Sequence, residues 1–151
     1  MLSKLKIKIF ADGADFDQII NFNDNPLIQG MTTNPSLMKK AGISNYQEFC
    51  KKVCEKVKDK PLSFEVFTDD FKEMVRQSKI INSWGKNVFV KIPITNTKGQ
   101  SSNQIIKELN NEGIKLNITA IFTKSQISEL QKNLNPEIKN YISIFAGRIA
   151  D

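Results

Sequence analysis

"NVFVKIPIT", residues 87–95, sets a single lysine inside an otherwise apolar, β-branched run. Val88, Phe89, Val90 and Ile92 have the composition of a buried strand, where an ammonium is costly unless it is paired or neutral. Strand alternation puts Phe89 and Lys91 on one face and Val88, Val90 and Ile92 on the other. The same split recurs along the chain. Glu65 lies opposite Phe64 and Val66, Asn117 and Thr119 opposite Leu116 and Ile118, and Ser143 opposite Ile142 and Ile144. Asp12 closes its run on the side away from Ile9 and Ala11. One apolar parity, and one polar parity gathered toward the C-terminal strand ends, is the pattern of a TIM-type barrel.

Six strand-like pieces, 6–11, 27–30, 62–67, 87–92, 116–118 and 141–145, alternate with helix-period segments. "DDFKEMVRQSKIINSWG" places Phe71, Met74, Val75 and Ile81 on one helix face and stops at Gly85. "SSNQIIKELNNEG" offers serine caps, then Ile105, Ile106 and Leu109, then Gly113. "TKSQISELQKNL" opens with Thr123 and Gln126 at capping-box spacing. No linker or low-complexity tract divides this series, so the expected fold is α/β. The expectation is a (β/α)8 TIM-type barrel, incomplete, with six strands represented and residues 1–151 as one domain. The early βα junctions carry neither G-x-G-x-x-G nor a Walker lysine loop, which removes the nucleotide-fold fingerprints.

Composition narrows the chemistry further. The absence of histidine removes histidine triads, metal sites and proton shuttles together. Cys50 and Cys54 are spaced as two reduced thiols on a core-facing helix stripe with Val53 and Val57. A net charge of +6 admits a nucleic-acid partner, but Arg76 and Arg148 are the only arginines and the lysines are scattered among glutamates. Solvated helix faces explain that charge better. No apolar run reaches the roughly 18 residues of a membrane span. "MLSKLKIKIF" lacks the apolar stretch and cleavage site of a secretory leader, so the cytoplasm is the expected location.

A lysine in a dry pocket loses proton affinity, and a neutral amine can attack a ketone to form a Schiff base. That chemistry needs a proton shuttle and a base, for which Glu65 and Asp12 are the available carboxylates. Asn34, Asn117, Thr119 and Ser143 suit a polyhydroxylated substrate, and Arg148 a phosphate. Trp84, Asp15 and Asp17 read as packing and helix-terminus residues.

"MTTNPSL" (31–37), "FVKIPIT" (89–95), "GIKLNITAIFT" (113–123) and "ISIFAGRIAD" (142–151) together resemble the transaldolase family, particularly its short forms. The resemblance runs along essentially the whole chain, with the motifs in family order. It implies a (β/α)8 barrel that transfers a dihydroxyacetone unit between sugar phosphates, from a ketose phosphate donor to an aldose phosphate acceptor. No metal or organic cofactor is implied. Lys91 would carry the Schiff base, Asp12 would move the hydroxyl proton, and Glu65 would act through a water that Thr119 positions. Asn34, Asn117 and Ser143 would bind the dihydroxyacetone part, and Arg148 the phosphate. Fructose-6-phosphate aldolase relatives carry glutamine in place of Glu65 and tyrosine in place of Phe145, so these two residues resemble the transferase side.

The chain stops just past the sixth strand, whereas a complete barrel takes about 200–250 residues. Strands seven and eight, the helices after strands six to eight and a second phosphate arginine are expected to be absent. A fragment of a longer chain is the leading explanation, ahead of a truncated product and a minimal enzyme. A homo-oligomer would cover the open sheet edges. The rival functions are a lysine aldolase releasing free dihydroxyacetone, a non-catalytic half-barrel that binds sugar phosphate, and a basic nucleic-acid binder.

Overall fold

The computed structural model describes residues 6–150, so residues 1–5 of the basic N-terminal stretch and Asp151 of the last quoted motif lie outside it. The elements run β1 (Ile9–Asp12), α1 (Phe16–Asp24), β2 (Ile28–Thr32), α2 (Pro35–Lys40), α3 (Tyr46–Lys56) and β3 (Leu62–Glu65). Then follow α4 (Phe71–Asn82), β4 (Val88–Pro93), α5 (Asn103–Asn111), β5 (Leu116–Ile121), α6 (Lys124–Gln131), β6 (Tyr141–Ile144) and α7 (Ala146–Ala150). The strands form one sheet in the order β1-β2-β3-β4-β5-β6. This is the α/β, TIM-type strand order that the alternation predicts, with six strands of the barrel represented.

Two compact units divide the chain. The first comprises the residues up to Glu65 together with Ser83–Val88. Its β1–β2 and β2–β3 pairs are parallel. Local polar residues start each helix: Asp15 Oδ1 accepts from Gln18 N at 2.8 Å, Asn34 caps α2 ahead of Pro35, and Asn45 caps α3. Cys50, Val53 and Cys54 form the buried stripe of α3, both cysteines are free thiols, and Val57 continues the stripe at its C-cap. Trp84 packs between Tyr46 and Phe64, with ring centroids 6.1 and 5.9 Å away. Asn87 ties down the turn after α3 by donating to the Val57 and Lys60 carbonyls.

The second unit comprises Val66–Asn82 and the chain from Phe89 onward. Its strands pair parallel, with Val90, Ile92, Leu116, Ile118 and Ile121 buried alongside Met74, Ile106, Leu109 and Leu130 from the helices. Helix α5 ends at Asn111, and Gly113, the predicted stop, follows two residues on with a φ of 85° that suits glycine. Gly113 N bonds the Asn110 carbonyl and Ile114 N the Leu109 carbonyl, the paired bonds of a Schellman turn. Thr123 and Gln126 form both bonds of the expected capping box. Arg76 bonds Glu73 on the exposed side of α4, one of the solvated lysine- and arginine-bearing faces.

Behind β5, Asn110 and Asn140 form a fully bonded amide pair. Asn110 Nδ2 donates to Ile114 O and Asn140 Oδ1, while its Oδ1 accepts from Asn135 N and Asn140 Nδ2. Asn140 Oδ1 also accepts from Leu116 N, and its Nδ2 donates to Ile138 O. Both side chains thereby use every donor and acceptor they carry.

Several boundaries differ from expectation. β1 begins at Ile9 rather than residue 6, because Lys6, Ile7 and Lys8 are exposed. β2 continues through Met31 and Thr32, and β5 continues past Ile118 through a bulge. β3 stops at Glu65: Phe67 is 58% exposed, and its N–H goes to Gln77 Oε1 rather than to a ladder. α4 ends at Asn82, three residues before Gly85. Ser102 occupies the N-cap position of α5 without a side-chain cap bond, and Ser101 Oγ accepts from Asn103 N instead. The two short helices α2 and α7 carry too few turns for a readable period, and α7 corrects the expectation that no helix follows strand six.

Candidate active site

In the second unit, the residues of the polar parity stand side by side. Lys91 on β4 is 8% exposed and is in register with Asn117 on β5. Asn117 is buried and accepts from Ser143 Oγ of β6 at 2.7 Å. Thr119 is 2% exposed, and its Oγ1 has no hydrogen-bond partner among the described residues. Tyr141, the β6 residue in register with Asn117, lies against Phe89 with ring centroids 4.5 Å apart and planes tilted at 45°, and Lys115 Nζ lies 5.0 Å over the Phe89 ring. Tyr141 was not singled out from the sequence, although it shares parity with Ser143 in "YISIF".

β5 does not run straight through this row. Its pairing with β6 slips between Ile118 and Ile121, and Ala120 sits in the left-handed region at φ 58°. Beyond β6, the Phe145 ring lies edge-on to Phe122 at 5.5 Å, and the Arg148 guanidinium lies 5.0 Å over the Phe145 ring. Phe145 is thus a shelf for Arg148, which is exposed on α7.

In the first unit, Asp12 ends β1 opposite Thr32 of β2, and Thr32 Oγ1 donates to Asp12 Oδ1 at 2.6 Å. Thr32 pairs in turn with Ser63 of β3, so Asp12, Thr32 and Ser63 make one row across three strands. Asn34 uses Oδ1 to cap α2, accepting from Leu37 N at 2.9 Å, which leaves its amide nitrogen as the atom able to donate to a ligand. Glu65 ends β3, and its backbone carbonyl accepts from Tyr46 Oη at 2.7 Å. Burial pushes the Tyr46 phenol far up, so it stays a neutral donor. Sequence reasoning missed Thr32 and Tyr46. The repeated threonine of "MTTNPSL" was a signal for Thr32, whereas nothing local links Tyr46 to Glu65, 19 residues away.

Among the described residues, no group of three or more histidine, cysteine, aspartate or glutamate side chains is placed to hold a metal ion. No helix among them is long and apolar enough to cross a membrane.

Strands that alternate with helices and carry a buried lysine beside a row of amides and hydroxyls define a lysine-bearing βα-barrel class. The chain belongs to the transaldolase/fructose-6-phosphate aldolase family, whose profile matches residues 9–151. It is 38% identical over 145 residues to a probable transaldolase of Clostridium kluyveri, covering 96% of this chain and 63% of that protein. A probable transaldolase of Methanococcus maripaludis is 39% identical, and one of Streptococcus equi subsp. zooepidemicus 38% identical, with the same coverage. The chain therefore spans less than two thirds of the length of these relatives.

Proposed function

We propose that this chain carries the Schiff-base half of a transaldolase-type transferase, moving a dihydroxyacetone unit between sugar phosphates in the cytoplasm. The observation that carries this reading is the buried Lys91, in register with Asn117 on a polar strand face, in a chain of this family. Lys91 Nζ attacks the ketone carbon of the donor, and loss of water gives an iminium. Glu65 shuttles protons for that step through a water held by Thr119. Asp12 takes the proton from the hydroxyl beyond the scissile bond. The carbon–carbon bond then breaks, its electron pair enters the iminium, and an aldose phosphate leaves. The resulting enamine attacks the acceptor aldehyde, Asp12 returns the proton, and hydrolysis frees Lys91.

Asn34, Asn117 and Ser143 hold the hydroxyls of the three-carbon unit. Arg148, steadied by Phe145, takes the phosphate. Thr32 keeps one Asp12 oxygen in place. Glu65 and Phe145 favour transfer over release of free dihydroxyacetone.

Borohydride trapping with fructose 6-phosphate tests the reading, followed by intact mass, peptide mapping and a Lys91→Ala control. A reduced three-carbon adduct on Lys91 that the control lacks supports it. A folded chain that yields no adduct overturns it for this length of polypeptide. Free dihydroxyacetone without transfer to an added aldose phosphate assigns the aldolase reaction instead.

A further inference from the structure

β5 carries two residues, Thr119 and Ala120, where β6 carries one, Ser143, between the pairs Ile118–Ile142 and Ile121–Ile144. That is a β-bulge. Unbroken alternation would put Ile121 on the same face as Thr119 and Asn117. The extra residue resets the parity: Ile121 comes into register with Ile144 as Ile118 does with Ile142, two residues on one face of β6, and both β5 isoleucines are fully buried. Within the bulge Ala120 sits at φ 58°, a left-handed position held by alanine rather than glycine. Left-handed alanine is strained, and such strain persists where the surroundings over-determine it.

Three polar groups lie at or next to this kink. Thr119 Oγ1 is buried without a partner among the described residues, Ser143 faces the bulge, and Ser143 holds Asn117. We propose that Ala120 is a positioning residue, whose left-handed bulge sets the Thr119 hydroxyl and the Ser143–Asn117 pair for the substrate and its water. Its catalytic consequence rests on the reading given under Proposed function.

The test compares Ala120→Gly, Ala120→Asn and Ala120→Val in the full chain. Glycine and asparagine tolerate the left-handed region, whereas β-branched valine does not. One readout is the Thr119 methyl and Asn117 side-chain amide resonances, which need no turnover. The other is the rate of borohydride trapping with fructose 6-phosphate. The glycine and asparagine variants are expected to keep wild-type resonances and rate. The valine variant is expected to shift the resonances and slow trapping about tenfold or more.

A valine variant with wild-type resonances overturns the proposal, as does an asparagine variant as perturbed as valine, since side-chain size would then be the cause. If valine prevents folding, the asparagine variant decides alone: retained resonances support the proposal and shifted ones overturn it. A wild-type chain that forms no adduct overturns the proposed function, while the resonances still decide whether Ala120 sets these groups.

Discussion

Ser143 Oγ donates to Asn117 Oδ1 at 2.7 Å across the β5–β6 pairing, one register step from the strand that carries Lys91. The bond fixes which way the Asn117 amide points, with its oxygen toward Ser143. Replacing Ser143 by alanine removes that donor while leaving the strand intact. The expected cost is about 1 kcal/mol of stability. For the donor ketose we expect KM to rise about tenfold, with a smaller change in kcat. Denaturant titration and initial-rate kinetics check both, and an unchanged KM would separate Asn117 orientation from substrate binding.

The Thr32–Asp12 bond predicts a second outcome. Thr32→Val preserves shape and removes only the hydroxyl that holds one Asp12 oxygen. On the proposed mechanism, in which Asp12 acts after the iminium, cleavage should slow while formation of the initial Lys91 adduct does not. Single-turnover mass spectrometry should therefore find the uncleaved sugar adduct accumulating in the variant.

Acid should loosen one loop before it unfolds the core. The Thr97 amide and hydroxyl both donate to Asp69, and they hold its carboxyl below the ordinary aspartate range. Because the folded value is depressed, this contribution is present above the unfolded value near about 4 and is lost as pH falls through the folded value. Hydrogen exchange at the Thr97 amide should accelerate on acidification below about pH 4 beyond its intrinsic pH trend, and Asp69→Ala should abolish that acid-dependent step.

The opposite sign holds for Cys54. Burial pushes its thiol up to about 11, against a smaller opposing pull from Lys58. In the unfolded chain the thiol ionises near about 8.5, so stability should decline as pH rises from there toward 11. Iodoacetamide should label neither cysteine of the folded chain appreciably at neutral pH, and both should react in urea. Rapid labelling of the folded protein would contradict the buried stripe of α3.

The strand alternation around Lys91, the caps at Thr123 and the stop at Gly113 were legible in the sequence, because each rests on residues close together in the chain. Parity alone placed Lys91, Asn117, Thr119 and Ser143 on one face, and the Ser143–Asn117 bond shows two of them meeting there. The bulge was not legible. Nothing about an alanine announces a left-handed backbone, and the signal was indirect: Ile121 needed the apolar side that simple alternation denies it. Likewise, Asp12 could be read as a carboxylate at a strand end, but its tie to Thr32 spans 20 residues and exists only once β1 and β2 pair.

The amide pair of Asn110 and Asn140 bears on how the protein ages. Deamidation would replace the Asn110 nitrogen, which donates to two acceptors, with an oxygen that repels them. The reaction begins when the side-chain carbonyl carbon is attacked by the backbone nitrogen of the next residue. In the folded chain both ends of that side chain are held elsewhere and its backbone is helical. Chemical damage at this asparagine therefore accumulates while the chain is open, and a damaged chain can no longer close the same way.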